Sequence, residues 1–124
     1  MGVYIHNITV DCARPAQLAD FWATTLGWVK EDWNDDEDAA VYDSDVRGAR
    51  LLFMRVPESK AVKNRLHLDL TAQNSTMEEE TERLVGLGAK IVERVNLTSG
   101  TWTGRWTIMG DPEGNEFCVA EPEH

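Results

Sequence analysis

The chain reads as an α+β protein: two tandem βαβββ modules forming a cupped mixed β-sheet. Three observations predict this. The order strand, helix, three strands is written twice within 124 residues. His6 precedes the helix-ending pair Leu26-Gly27 by the same interval as His67 precedes Leu87-Gly88. Near the C-terminal end, the turn Asp111-Pro112-Glu113-Gly114-Asn115 leads straight into alternating Glu116-Phe117-Cys118-Val119. A doubled module of this kind buries its core by joining two sheets around a shared cleft. One domain over 1–124 is expected, with module 1 at about 1–57, a polar connector at 58–64 and module 2 at about 65–122.

Each element has a local reason. A first strand fits 3–11, and Pro15 is suited to open a helix at its first position. Leu18, Phe21, Trp22, Thr25 and Leu26 recur at three- and four-residue spacing, giving one apolar stripe, and Gly27 is placed to end it as a left-handed cap. Strands fit 28–33, 39–42 and 49–56, with Gly48 turning between the last two. In the second module 65–71 alternates, with Leu66, Leu68 and Leu70 on one face and His67 and Asp69 on the other. Asn74 or Ser75 is the expected cap of the second helix. Glu78, Glu79 and Glu80 follow in its first turn, where the helix dipole favours negative charge. Its expected stripe is Met77, Thr81, Leu84 and Leu87, ended by Gly88, with strands at 89–95, 102–109 and 115–120. In the final turn Gly114 supplies the positive φ that reverses the chain.

Composition narrows the function. A net charge of −10 repels nucleic acid backbones and anionic membrane surfaces, so neither is an expected partner. No apolar run is long enough to span a bilayer, and the N-terminal residues lack a secretory pattern, so a cytoplasmic location is expected. The acidic run 31–38 lacks the spacing of a calcium loop and reads as a solvated hairpin tip. Cys12 and Cys118 are expected free, with no zinc-ribbon spacing. Nucleophile elbow, phosphate loop and dinucleotide fingerprint are all missing.

Four local signals, in this order and spacing, resemble the vicinal-oxygen-chelate superfamily of glyoxalase I, bleomycin-resistance proteins and extradiol dioxygenases, and within it the glyoxalase-like subfamily. They are Val10-Asp11-Cys12-Ala13; Phe21-Trp22 with Leu26-Gly27-Trp28; Asn64-Arg65-Leu66-His67-Leu68-Asp69-Leu70; and Trp106 leading to Asp111 through Val119. The resemblance covers essentially the whole chain. It implies the paired βαβββ fold and a homodimer. In metal-using members it also implies ligands on the first and last strand of each module. Carried over, His67 matches a histidine ligand and His6 matches one loosely. The strand around Leu51-Leu52-Phe53-Met54 offers no carboxylate, and Cys118 stands where the last strand carries glutamate.

Two functional readings follow. In the first, the protein binds a small apolar or aromatic molecule, with or without cofactorless chemistry, in a cleft lined by His67, Asp69, Trp102, Trp106 and Cys118. In the second, a divalent metal (zinc, nickel, manganese or iron) held by His6, His67 and a carboxylate such as Glu116 serves a lyase, isomerase or dioxygenase. The absent glutamates favour the first. Each residue also has a plainer role. His67 and Asp69 can be a cross-strand pair that fixes the sheet, and His6 a structural histidine. Cys118 can be a small buried thiol, Glu116 an exposed residue past a turn, and the tryptophans ordinary packing.

Overall fold

The computed structural model describes residues 2–122, which divide into two compact units, the first ending at Lys60 and the second beginning at Ala61. The first contains β1 (Ile8–Cys12), α1 (Pro15–Leu26), β2 (Val29–Lys30), β3 (Asp38–Tyr42) and β4 (Arg50–Arg55), in a sheet ordered β1-β4-β3-β2. The second contains β5 (Leu68–Thr71), α2 (Met77–Gly86), β6 (Lys90–Ser99), β7 (Trp102–Gly110) and β8 (Glu116–Ala120), ordered β5-β8-β7-β6. In both, the first strand runs parallel to the last and the other pairs are antiparallel. The doubled βαβββ plan is therefore present, as two four-stranded sheets with one helix each.

The first unit's core forms where α1 lies on β3 and β4. Leu18, Phe21 and Trp22 meet a sheet face carrying Ala39, Val41, Leu51 and Phe53, all buried. Pro15 occupies the first helical turn and Gly27 closes it at φ 68°, as the sequence predicts. Two strands are shorter than expected. The strand expected over 3–11 begins only at Ile8, where Leu51 first offers a parallel partner. Upstream, Val3, Tyr4 and Ile5 are exposed, with the Arg47 guanidinium stacked 3.6 Å over the Tyr4 ring. That segment also crosses Gly48, where a Cβ would stand 2.7 Å from the Ile5 carbonyl oxygen; with φ at 83°, the turn requires glycine. The strand expected over 28–33 is only Val29–Lys30, because side chains beyond it take over the backbone. Asn34 bonds both polar groups of Ala40, and the Asp35 carboxylate accepts from the amides of Glu37 and Asp38. The acidic run is thus a hairpin tip built by its own carboxylates.

In the second unit α2 packs on β6, β7 and β8 through Met77, Thr81 and Leu84. Its cap is neither Asn74 nor Ser75 but Thr76. The Thr76 hydroxyl accepts from the Glu79 amide, and the Glu79 carboxylate accepts from the Thr76 amide. Asn74 lies ahead of the cap position, at φ 58°, shaping the loop. Leu87, expected in the buried stripe, caps the C-terminus and is 38% exposed. The strand expected over 65–71 starts at Leu68, so Leu66 does not share a buried face with Leu68 and Leu70; it is 83% exposed. β6 runs past its expected end because it pairs with β7 along its whole length to Ser99, with an irregularity between Ile91 and Glu93. The turn before β8 is as the sequence reads. Gly114 has φ 84°, and the buried Asp111 carboxylate accepts from the amides of Glu113 and Asn115.

Candidate functional site

Parity along the second sheet separates a core face from an open one. The Thr81 hydroxyl bonds that of Thr107, both buried, so Thr107 points at α2. Met109, two residues on, and Phe117 and Val119, their β8 partners, share that face and are buried. Residues of opposite phase therefore line the face away from the helix. These are Glu116 and Cys118 on β8, Trp106 and Ile108 on β7, and Asp69, which pairs with Cys118 across the parallel β5–β8 ladder. His67, two residues before Asp69, lies just ahead of β5.

On this face three side chains meet. His67 Nδ1 lies 3.0 Å from Asp69 Oδ1, and the Cys118 thiol also hydrogen-bonds the Asp69 carboxylate. Among the described residues, His67, Asp69 and Cys118 form the one group of three metal-capable side chains, their ligand atoms all within 4.8 Å of one another. His67 and Asp69 are exposed and Cys118 is half-buried. Burial pushes the Cys118 thiol above its ordinary range; the negative charge of Asp69 and the bond to it add to this, and Lys63 opposes it. With Asp69 on Nδ1, His67 presents Nε2, on the far side of the ring, to anything approaching the face.

The other candidates stand as follows. Glu116 is outside the group; one carboxylate oxygen accepts from the Asn64 amide at 3.0 Å, tying the connector to the start of β8. His6 belongs to the first unit, exposed and ahead of β1. Trp106 is half-buried, paired with Ala120 on one side and Val95 on the other. Trp102 opens β7 opposite Ser99, and its side chain lies outside the described part of the molecule. Arg105, of opposite phase to Trp106, pairs with Glu121 at 3.2 Å.

Matching the two units strand by strand identifies what the sequence reading missed. Ile8 pairs with Leu51 as Leu68 pairs with Phe117, which makes Thr9 the counterpart of Asp69 and Leu52 that of Cys118. The counterpart of His67 is then Asn7, one residue beyond His6. The Asn7 side-chain amide donates to the Thr9 hydroxyl at 3.0 Å, in the same i to i+2 arrangement as His67 and Asp69. Aligning the modules on their Leu-Gly pairs lands on His6; aligning the ladders, which no single sequence displays, lands on Asn7, and so do the observed helix ends, Leu26 and Gly86.

Residues 7–120 match the family described as "Glyoxalase-like domain". Among curated proteins, nothing matches the chain. Three solved structures are similar to it. A glyoxalase/bleomycin resistance protein/dioxygenase family enzyme from Burkholderia phytofirmans PsJN is 12% identical, with a TM-score of 0.72 over 96% of this chain and 98% of that one. The fosfomycin resistance protein FosX from Listeria monocytogenes, an E126Q mutant complexed with Mn(II) and 1S,2S-dihydroxypropylphosphonic acid, is 17% identical. Its TM-score is 0.73 over 97% and 90%. A possible glyoxalase from Bacillus cereus is 19% identical, with a TM-score of 0.63 over 96% and 99%. At such identities these likenesses speak for the fold.

Proposed function

The chain belongs to the glyoxalase-like domain family, and from that premise we propose that it binds a small apolar or aromatic molecule on the open face of its second sheet, without the carboxylate-rich metal set of metal-using relatives. One observation carries the reading: Asp69 gathers His67 and Cys118 into a hydrogen-bonded group on the face that also presents Ile108 and Trp106. An aromatic ring and an aliphatic side chain beside a few convergent polar atoms are the usual makings of a small-molecule site. Asp69 fixes the imidazole with its proton on Nδ1, so Nε2 accepts a hydrogen bond from a ligand's hydroxyl or amide. A homodimer, common in this superfamily, belongs to the same reading.

The divalent-metal reading has one support, the manganese in the FosX complex. Manganese favours carboxylate, carbonyl and water oxygens. The group here offers one carboxylate, one imidazole and one thiol, and its first-unit counterparts are Asn7, Thr9 and Leu52. That donor chemistry does not fit a manganese-type ion, and no reaction step is assigned to one.

Melting the protein against a panel of aromatic compounds tests the proposal. A true ligand at a hundredfold excess over its dissociation constant stabilises the folded state by about 2.7 kcal/mol. The stabilisation is expected to vanish in Trp106→Ala and to weaken in His67→Ala. A panel that never shifts the wild type, or a shift that Trp106→Ala leaves intact, overturns it.

A further inference from the structure

We propose that Arg50, on the face of the first sheet turned away from α1, anchors a binding site for a small aromatic carboxylate. The site belongs to the first unit and stands apart from the ligand proposed for the second sheet.

Placement follows from parity. Leu51 and Phe53 on β4 and Val41 on β3 are buried toward α1, so Arg50, Leu52 and Tyr42 project from the other side of the sheet. Tyr42 is the Cα partner of Arg50, and Val29 that of Tyr42, which sets an aliphatic side chain, a phenol and a guanidinium on one rung. Arg50 Cζ stands 6.0 Å from the centre of the Trp33 ring, and the Asn7 side-chain oxygen accepts from Arg50 Nη1 at 3.4 Å.

Electrostatics single out this arginine. Its side chain is 22% exposed, whereas those of Arg55, Arg83, Arg94 and Arg105 are 39–55% exposed. Those four approach a carboxylate to 2.8–3.2 Å. Arg50 Nε stops 3.9 Å from Glu31, too far for a hydrogen bond. A guanidinium carries five N–H donors, and the long contact with Asn7 is the one hydrogen bond that this side chain makes among the described residues. The most desolvated of these paired arginines is thus the least satisfied.

A second acceptor is what such a group lacks, and a carboxylate offers two oxygens at the spacing of the guanidinium fork. Glu31 lies nearest Nε, so Nη2 and the second hydrogen of Nη1 are left for the ligand, while the Glu31 charge limits its affinity. Trp33, 45% exposed, offers a ring face to an aromatic body.

The doubled fold supplies an internal comparison. In the second unit the place of Arg50 on the closing strand is taken by Glu116, whose carboxylate accepts from the Asn64 amide, and that of Tyr42 by Gly110. One backbone plan therefore carries opposite charge at this rung in the two units, and anion recognition is confined to the first.

Naphthoate and benzoate are the probes, with naphthamide as the uncharged match. Each is titrated into the full chain while the arginine Nε–H and tryptophan indole N–H signals are followed by proton–nitrogen correlation NMR. Saturable shifts of Arg50 and Trp33 with an acid are the expected result, with naphthamide roughly tenfold weaker or more. Arg50→Gln and Arg50→Lys should each weaken binding to a similar degree, since neither keeps the fork, and Trp106→Ala should leave both shifts in place. Should Arg50→Gln fail to fold, Trp33→Ala at its exposed position should weaken binding in its stead, and the wild-type comparison of acid with amide still decides. No saturable shift with either acid, an amide that binds as well as its acid, or undiminished binding in folded Arg50→Gln overturns the site. A shift lost in Trp106→Ala and kept in Arg50→Gln assigns the ligand to the second sheet, removing this site and leaving the other reading intact.

Discussion

Asp69 carries more of the site than its place on an edge strand suggests, because one carboxylate bonds both His67 and Cys118. Burial of the thiol, with the charge and hydrogen bond of Asp69 adding to it, has a measurable sign. The folded-state pKa of Cys118 lies above the unfolded value, so the native state holds that proton more tightly. Its contribution to stability is whole below the unfolded thiol's pKa and is lost as pH rises through the folded one. Denaturant titrations from neutral pH to about pH 10 should show falling stability, and Cys118→Ala should flatten the fall; equal slopes would refute the assignment. At this scale the sequence was informative about phase. Alternation put Glu116 and Cys118 on one face, and they lie there. It was silent on the partnership of Asp69 with Cys118, which depends on β5 and β8 lying side by side across forty-odd intervening residues. It was also silent on Asn64, whose amide bonds Glu116.

Elements were readable wherever their cause is local. Pro15 and Gly27 bracket α1 within their own neighbourhood, and Asp111 through Asn115 fold their turn with their own side chains. Ends decided by a distant partner were not. β1 and β5 begin where the parallel strand opposite begins, β6 ends where β7 starts, and neither limit is visible in a hydrophobic pattern. The cap of α2 belongs to the local kind, yet three adjacent polar residues compete for it, and the deciding one is Thr76 because Glu79 lies three residues on. Thr76→Ala should cost about 1 kcal/mol in chemical denaturation. Ser75→Ala should cost a few tenths at most, its hydroxyl bonding only the Gln73 carbonyl at 3.3 Å.

For the molecule as a whole, duplication was legible and its register was not. Strand order and helix ends repeat faithfully, but the Leu26-Gly27 and Leu87-Gly88 pairs do not mark the same place, because α2 ends at Gly86 with Leu87 as its cap, so His6 and Asn7 exchange places according to whether those pairs or the ladders are matched. Charge acts at this scale as well. The described ion pairs join exposed or partly exposed groups, among them Lys30–Asp20, Arg55–Glu37 and Arg94–Glu78, each worth about 0–1 kcal/mol. Net charge of −10 sets a wider self-repulsion against them. Salt screens both, with a Debye length of about 8 Å at 0.15 M, and the repulsion is the larger quantity. Melting temperature should therefore climb between very low salt and 0.15 M sodium chloride in scanning calorimetry; a drop would mean that the pairs dominate.

The parallel pairing of opening and closing strands in each unit fixes an order of events during biosynthesis. Ile8 cannot find Leu51, nor Leu68 find Phe117, until the ribosome has made everything between them. Leu68 and Leu70 thus emerge well ahead of the strand that shelters them. A nascent chain halted before β8 exposes a bare ladder edge and the apolar side of α2, the features that holdase chaperones recognise and that drive premature association.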